Sequence, residues 1–395
     1  MRFYDFLNPS VNFMGPGCVK VLGERCKLLN MNKPLIVTDE FLAGLEGGPV
    51  AQSVDSLKEA GIEYFIFTGA EANPKVQNCY DGLEMYKANG CDSIITVGGG
   101  SAHDCGKGVG IAATHEKHLT EYAGIEKLTN PLPPIIAVNT TAGTASEVTR
   151  HCVLTNLDTK LKFVIVSWRN VPLVSFNDPM MMLGIPAGLT AATGMDALTH
   201  AVETYVSVDA NPVTDAVAMQ AIKLCANNLR QAVANGGDVK ARENMAYASL
   251  LAGMAFNNGN LGYVHAMAHQ LGGQYDLPHG VANAMLLPVV EEYNIISNPQ
   301  RFADIAEFMG ENIEGLSVMD AAQKAVDAMR RLATDIGIPT SLKEMGVKEE
   351  DFELMAENAL QKWEDVEFFN QKGQFQNRSK ISFGAEFMPN PIGRS

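Results

Sequence analysis

The sequence predicts two units of different class: an α/β half built on a mainly parallel sheet, then an all-helical half. Three observations carry this. Short β-rich runs alternate with helix-like stretches as far as Met180, whereas from Leu189 to about Asp365 helix periodicity runs almost unbroken. The length, 395 residues, is also more than one ordinary core organises. In order, Pro34–Thr38 (PLIVT), Tyr64–Phe67 (YFIF), Ser93–Val97 (SIITV), Pro134–Val138 (PIIAV) and Lys162–Ser167 (KFVIVS) read as strands, with helices at Gly48–Ala60 and Val76–Asn89. Strands separated by amphipathic helices imply βαβ units. The pattern breaks at Met181–Gly188 (MMLGIPAG), where two glycines and a proline interrupt it, giving units 1–187 and 188–395. Beyond the break, Val213–Ala234 and Ala241–Phe256 are typical of the helical half. There is no internal repeat and no low-complexity linker. The tail Gln371–Ser395 is polar, holds two prolines and lacks periodicity, which predicts poor order.

Composition narrows the function. Apolar residues make up 46% and charged residues 19%, as in folded globular proteins. Forty-five acidic against 30 basic side chains leave a formal charge of −15, which disfavours nucleic acid as a partner because that partner demands cationic surface. The longest apolar runs, Leu161–Trp168 and Pro133–Val138, stop well short of a membrane span. The first residues, MRFYDFLNPS, lack the charged-then-apolar layout of a secretory signal. Seven scattered cysteines without a C-x-x-C pair read as buried thiols in a reducing compartment. A cytoplasmic protein is expected.

Two motifs carry chemistry. The strand Ser93–Val97 runs into Gly98-Gly99-Gly100-Ser101, with Asp104 and Lys107 following on an apparent helix. Glycines at a strand–helix junction let backbone approach a ligand, and the helix N-terminus offers free N–H groups to a phosphate. A tight turn needing positive φ is the competing explanation; three consecutive glycines and a serine favour phosphate. Neither the G-x-G-x-x-G fingerprint nor a P-loop is present. Asp39, after the Pro34–Thr38 strand, is placed to accept from an adenosine ribose, although a turn residue would look the same.

The second motif is a histidine cluster. Asp196 and His200 stand at i and i+4 in TGMDALTHAVE, so one helix face carries both. His265 and His269 repeat the spacing in GYVHAMAHQLGGQYDLPHG, and a glycine-interrupted turn brings back His279. A lone histidine on an apolar helix is usually a satisfied core residue. A carboxylate with several imidazoles is the ligand set of Zn²⁺ or Fe²⁺, with the choice among the five open at this point.

The motifs GGGS-x-x-D-x-x-K, NTTAGTASEVTRHCV, GMDALTHAVE and GYVHAMAHQLGGQYDLPHGVANA together resemble the iron-dependent (group III) alcohol dehydrogenases, over about residues 4–360. The resemblance implies a Rossmann-like nucleotide domain, a helical domain and an active site in the cleft between them. It implies a metal held by Asp196, His200, His265 and His279, iron(II) by default, although Zn²⁺ or Ni²⁺ suits the same donors. It makes His269 a non-ligand that relays a proton or contacts substrate. It implies NAD bound by Gly98, Gly99, Gly100, Ser101, Asp104 and Lys107 at the pyrophosphate. Thr140, Thr141 and Thr144 would lie beside adenine and ribose, Lys162 near the nicotinamide ribose, and Asp39 would favour NAD over NADP. His151, Cys152 and Phe256 match substrate-pocket positions. The runs NPLPPIIAVNTTAGTASEVTRHCVLTN and NMAYASLLAGMAFNN resemble the branch acting on small diols, and relatives form dimers or larger homo-oligomers. Another small alcohol (lactaldehyde, butanol, methanol) is the first alternative. A zinc polyol dehydrogenase, a dehydroquinate-synthase-like lyase and an idle NAD-binding scaffold come behind it. The stretch Asp365–Ser395 departs from the terminal amphipathic helix of relatives.

Overall fold

A computed structural model of the chain describes residues 6–9, 11–157 and 161–365. The tail 371–395, expected to be poorly ordered, lies outside the described residues. The strands are β1 (Val11–Met14), β2 (Pro34–Val37), β3 (Phe65–Phe67), β4 (Ser93–Gly98), β5 (Gly124–Ile125), β6 (Ile135–Asn139), β7 (His151–Asn156), β8 (Leu161–Val166) and β9 (Val174–Asn177). Six of them form one parallel sheet in the order β1-β9-β6-β4-β2-β3. Helices α1 (Leu22–Leu28), α2 (Glu40–Gly44), α3 (Pro49–Glu59), α4 (Val76–Ala88) and α5 (Gly100–Thr114) complete this half.

Both sheet faces are covered, which is why its strands read as continuous apolar runs. Side chains alternate between two cores: Leu35, Val37 and Ile94 pack with the α4 and α5 side, whereas Ile36, Ile95 and Val97 pack with the α1 and α3 side. From β2 the chain steps to β3 on one side and returns to β4 on the other. That reversal is a topological switch point, where open α/β sheets leave a crevice beyond their carboxyl ends. Asp39 follows β2 and the glycine turn ends β4, so both lie at this crevice.

One strand expectation needs correcting. Lys162–Ser167 does not extend the parallel sheet. As β8 it pairs antiparallel with β7, and β5 joins as the third strand of this separate sheet. Only five residues separate Asn156 from Lys162, too few for the crossover that a parallel neighbour requires. Strands β1, β5, β7 and β9 went unrecognised in the sequence.

The second half holds α6 (Ala187–Val206), α7 (Pro212–Ala234), α8 (Val239–Gly259), α9 (Tyr263–Tyr275), α10 (His279–Asn294), α11 (Pro299–Phe308), α12 (Val318–Asp335) and α13 (Phe352–Asp365). The expected helices Val213–Ala234 and Ala241–Phe256 are α7 and α8, lengthened by one to three residues at their ends. Capping sets two of the starts. Asn211 accepts from the Val213 and Thr214 N–H groups ahead of Pro212, and Asp238 accepts from Ala241 N–H. Helix α6 is buried nearly all round, so it forms the axis of this half rather than a surface helix. No helix among the described residues is long and apolar enough to cross a membrane. A small apolar cluster of Ala145, Val148, Leu250, Phe256 and Leu261 joins the two halves.

Candidate active site

The two halves face each other across a cleft. On the α/β side, Gly98 pairs in register with Asn139, so the turns after β4 and β6 emerge side by side. They touch closely. A Cβ added at Gly99 would lie 2.9 Å from Thr141 Oγ1, and one at Gly100 would lie 2.7 Å from Thr144 Oγ1. The glycines therefore let two loops pack together as well as letting backbone approach a ligand. Gly100 and Ser101 open α5, and both line the cleft with Asp104 and Thr144.

Lys107 does not line it. Its ammonium is fully buried and donates to Ser146 O (2.7 Å), Ser146 Oγ (2.9 Å), Thr149 O (3.0 Å) and His151 O (2.7 Å). Asp104 completes the tie, accepting from Ser146 Oγ at 2.7 Å and Val153 N–H at 3.2 Å. Burial pushes the Lys107 pKa down and the Asp104 pKa up, each opposed by the other's charge. The geometry makes Lys107 a strut holding the 146–151 loop against α5, not a phosphate contact.

Cys152 is likewise turned away from substrate. Along β7, His151, Val153 and Thr155 face the cleft, while Cys152 and Leu154 face the core, as strand alternation requires. Cys152 is fully buried, and its thiol donates to Asp104 O at 3.3 Å. Asp39, Gly98, Gly99, Thr140 and Thr141 also stand outside the cleft lining, along the crevice leading to it. Asp39 Oδ1 accepts from Leu42 N–H at 2.8 Å, capping α2. Lys162 lines the cleft, donating to Asn73 Oδ1 at 2.7 Å; Asn73 in turn donates to Asp276 Oδ1 at 2.8 Å, linking the halves at the mouth.

On the helical side three helices converge. Asp196 and His200 share one face of α6. Helix α10 approaches α6 so closely that a Cβ on Gly280 would sit 2.3 Å from the Ala192 carbonyl oxygen. That glycine brings His279 in. The ligating atoms of Asp196, His265 and His279 lie within 4.8 Å of one another. Asp196 Oδ1 is 3.7 Å from Nε2 of both imidazoles. Two ligands on one ion at about 2.1 Å stand roughly 3–3.5 Å apart, so the spacing fits a shared cation. Asn283 Nδ2, a neutral donor, sits at this point, 2.6 Å from Asp196 Oδ1, 3.1 Å from His265 Nε2 and 3.2 Å from His279 Nε2.

His200 stands beside this trio rather than in it. Its ring stacks between Phe256 (4.3 Å) and His265 (4.5 Å), with Nδ1 buried and unpartnered. His151 extends the stack, 5.5 Å from the Phe256 ring. His269 lines the cleft one turn from His265, its ring 5.3 Å from that of His279. Burial pushes His200 down to about 3 and His279 to about 4, so both are neutral at pH 7 with a lone pair to offer. His265 is pushed up to about 9: its burial works against the charge, but Glu203 and Asp196 flank the ring and win.

Glu203 and Asn283 escaped the sequence reading. Both were findable, because Glu203 stands at i+7 from Asp196 and Asn283 at i+4 from His279, each on the face already identified.

Comparison with known proteins agrees with this architecture. The iron-containing alcohol dehydrogenase model matches residues 9–179, and the C-terminal model of the Fe-containing alcohol dehydrogenase family matches 190–378. The chain belongs to the iron-containing alcohol dehydrogenases and is a metal-dependent alcohol dehydrogenase. It is 69% identical over 359 residues to 1,3-propanediol dehydrogenase of Citrobacter freundii, covering 91% of this chain and 93% of that one. It is 44% identical to NAD-dependent methanol dehydrogenase of Bacillus methanolicus, covering 90% and 93%. A crystal structure of 1,3-propanediol oxidoreductase superposes with a TM-score of 0.90 at 68% identity, covering 91% of this chain and 94% of that one.

The strut is testable. Lys107→Met keeps the bulk but strands three buried carbonyl oxygens and leaves Asp104 without its cation, and should cost about 3–5 kcal/mol of stability. Chemical denaturation checks this; a midpoint equal to that of the wild type would mean the ammonium holds nothing.

Proposed function

We propose that the protein interconverts 1,3-propanediol and 3-hydroxypropanal, using NAD and iron(II), with residues 1–187 binding the dinucleotide and 188–395 holding the ion. The observation that carries this reading is the convergence of Asp196, His265 and His279 on a cleft whose opposite wall is the glycine turn. The strong identity to 1,3-propanediol dehydrogenase selects the diol, and the NAD-dependent relative supports the cofactor.

Asp196, His200, His265 and His279 would hold the cation. Such a cation supplies a Lewis acid that lowers the pKa of an alcohol hydroxyl, and nicotinamide supplies the hydride acceptor. The chain's own residues do the rest. The first N–H groups of α5, at Gly100 and Ser101, would hold a pyrophosphate. Lys162 would meet the nicotinamide ribose, and Thr140, Thr141 and Thr144 the adenosine. His269 takes the proton at a ring nitrogen and passes it to water. Phe256, Leu261, Val153 and Val164 line the cleft and exclude water from the reacting carbon. His151 and Phe256 bound the substrate end. Zinc or nickel would suit the same donors, and another small alcohol is the alternative substrate. A substrate panel with NAD⁺ and NADP⁺, run alongside metal analysis, decides among these. Highest kcat/KM on another alcohol, or activity without bound metal, would overturn the assignment.

The protein is further read as a cytoplasmic homo-oligomer. All seven cysteines are unpaired, and six are buried, which suits a reducing compartment. Light scattering at micromolar concentration should show a dimer or larger assembly; a monomer contradicts it.

Metal ligation separates the histidines. His265→Ala and His279→Ala should each lose bound metal and turnover while remaining folded. His269→Ala should keep its metal and lose mainly rate. Elemental analysis of the purified variants reads this directly, and a metal-free His269→Ala protein would place that ring among the ligands.

Cofactor choice turns on Asp39. One of its oxygens caps α2, and the residue stands at the switch-point crevice. A 2′-phosphate there meets a like charge, at a cost of several kcal/mol. NAD⁺ should be preferred by on the order of a hundredfold or more. Asp39→Gly keeps most of the cap, since glycine is tolerated there, and should raise NADP⁺ use with a smaller loss for NAD⁺. An unchanged cofactor ratio would reduce Asp39 to a cap.

A further inference from the structure

We infer that Glu203 is a positioning residue for the metal site. It fixes which nitrogen of His265 faces the cation and holds the start of α9 in place. The inference rests on the metal reading above. Glu203 lies on α6 three residues after His200 and seven after Asp196, so one stripe of the helix carries all three. Its side chain is fully buried. A carboxylate in that position must be compensated, because a buried unpaired charge costs far more than folding can spare.

Both of its oxygens are committed to α9. Oε1 accepts from Val264 N–H at 2.7 Å. Val264 is the second residue of that helix, whose N-cap is Gly262, a residue with no side chain to cap with. Glu203 therefore acts as a cap supplied from another helix, at the end where the dipole favours negative charge. Oε2 lies 2.5 Å from His265 Nδ1. An ionised carboxylate only accepts, so Nδ1 carries the proton and donates it. With Nδ1 held by Glu203, the proton that a cation would displace is the one on Nε2, and Nε2 is the atom facing Asp196 and His279. One carboxylate thus sets the position, orientation and tautomer of His265. A carboxylate behind a ligating imidazole also makes that imidazole a stronger donor.

The substitution that separates this role from simple packing is Glu203→Gln. The amide keeps the shape but has one acceptor for two N–H groups, and no charge. The zinc-loaded and cobalt-loaded proteins should bind their ion 10–100-fold more weakly, read by competition with a chelator. The cobalt absorption spectrum should shift, because the His265 donor has changed; a merely structural residue would move neither. Glu203→Asp, which keeps the charge but is shorter, should recover part of the affinity. A folded Glu203→Gln protein with wild-type metal affinity and spectrum overturns the inference. If that variant does not fold, NMR of the zinc-loaded wild type decides. A hydrogen-bonded His265 Nδ1–H resonance is expected, and a proton on Nε2 instead overturns it. A wild type that binds no divalent ion would refute the metal reading itself. A wild type that binds metal while Glu203→Gln is unaffected refutes only the role of Glu203.

Discussion

Everything on the helical side depends on one buried carboxylate. Asp196 is 2% exposed, at the middle of a helix that is itself buried nearly all round. A charge so placed survives only if donors or cations surround it. Asn283 on α10 donates to it, and the imidazoles of His265 on α9 and His279 on α10 stand 3.7 Å away. Their approach sets the arrangement of the three elements. Gly280 removes the side chain that would hold α10 off α6, and Glu203 ties the start of α9 to the same face of α6. The imidazoles around Asp196 hold its pKa well below the usual carboxylate range, against its burial. The bundle therefore keeps a concentrated negative point facing the cleft, which is what a divalent cation requires.

The opposite wall has the converse construction: a buried cation among neutral oxygens. The Lys107 ammonium meets Ser146, Thr149 and His151, and Asp104 holds the same segment through Ser146 and Val153. These contacts lash a loop with little regular structure to a helix whose first turn follows the glycines. Loops move readily unless their polar groups are satisfied. With the strut in place, the distance from the glycine turn to the Asp196, His265 and His279 cluster is carried by packed structure. Hydride transfer needs that distance held closely, because small misplacements cost large factors in rate.

The sequence displayed the signals that depend on local spacing. The glycine turn, the i and i+4 pairs of candidate residues and the helix-rich second half were all legible, since each is a statement about neighbours along the chain. Orientation was not. Lys107 lies seven residues after Gly100 on α5, and only the fold shows that it faces the 146–151 loop rather than the cleft. Cys152 was read as a pocket residue from the family resemblance; recognising β7 would have sent it and His151 to opposite faces. Lys162 was read into the parallel sheet because a β-rich run does not announce its partner. Its actual partner, β7, begins with residues that resemble a loop. Glu203 was overlooked because a single glutamate on an apolar helix reads as ordinary until His265 is placed beside it.

Strand β7 also shows how one catalytic apparatus can serve different alcohols. Its inward residues, Cys152 and Leu154, belong to the core of the α/β half, whereas His151, Val153 and Thr155 face the cleft. Substitution at the second set changes the cleft without opening a cavity in the first. His151 is also held through its backbone carbonyl by Lys107, so its position survives a change of side chain. The ring at 151 ends a stack running through Phe256 and His200 to His265, which links the pocket wall to the ligand cluster. Replacing the wall residue leaves the ligand end of the stack anchored by Glu203 and Asp196. Side chains of the α/β wall can thus vary while the Asp196, His265 and His279 cluster stays fixed in the helices, and 1,3-propanediol and methanol dehydrogenases are both relatives of this chain.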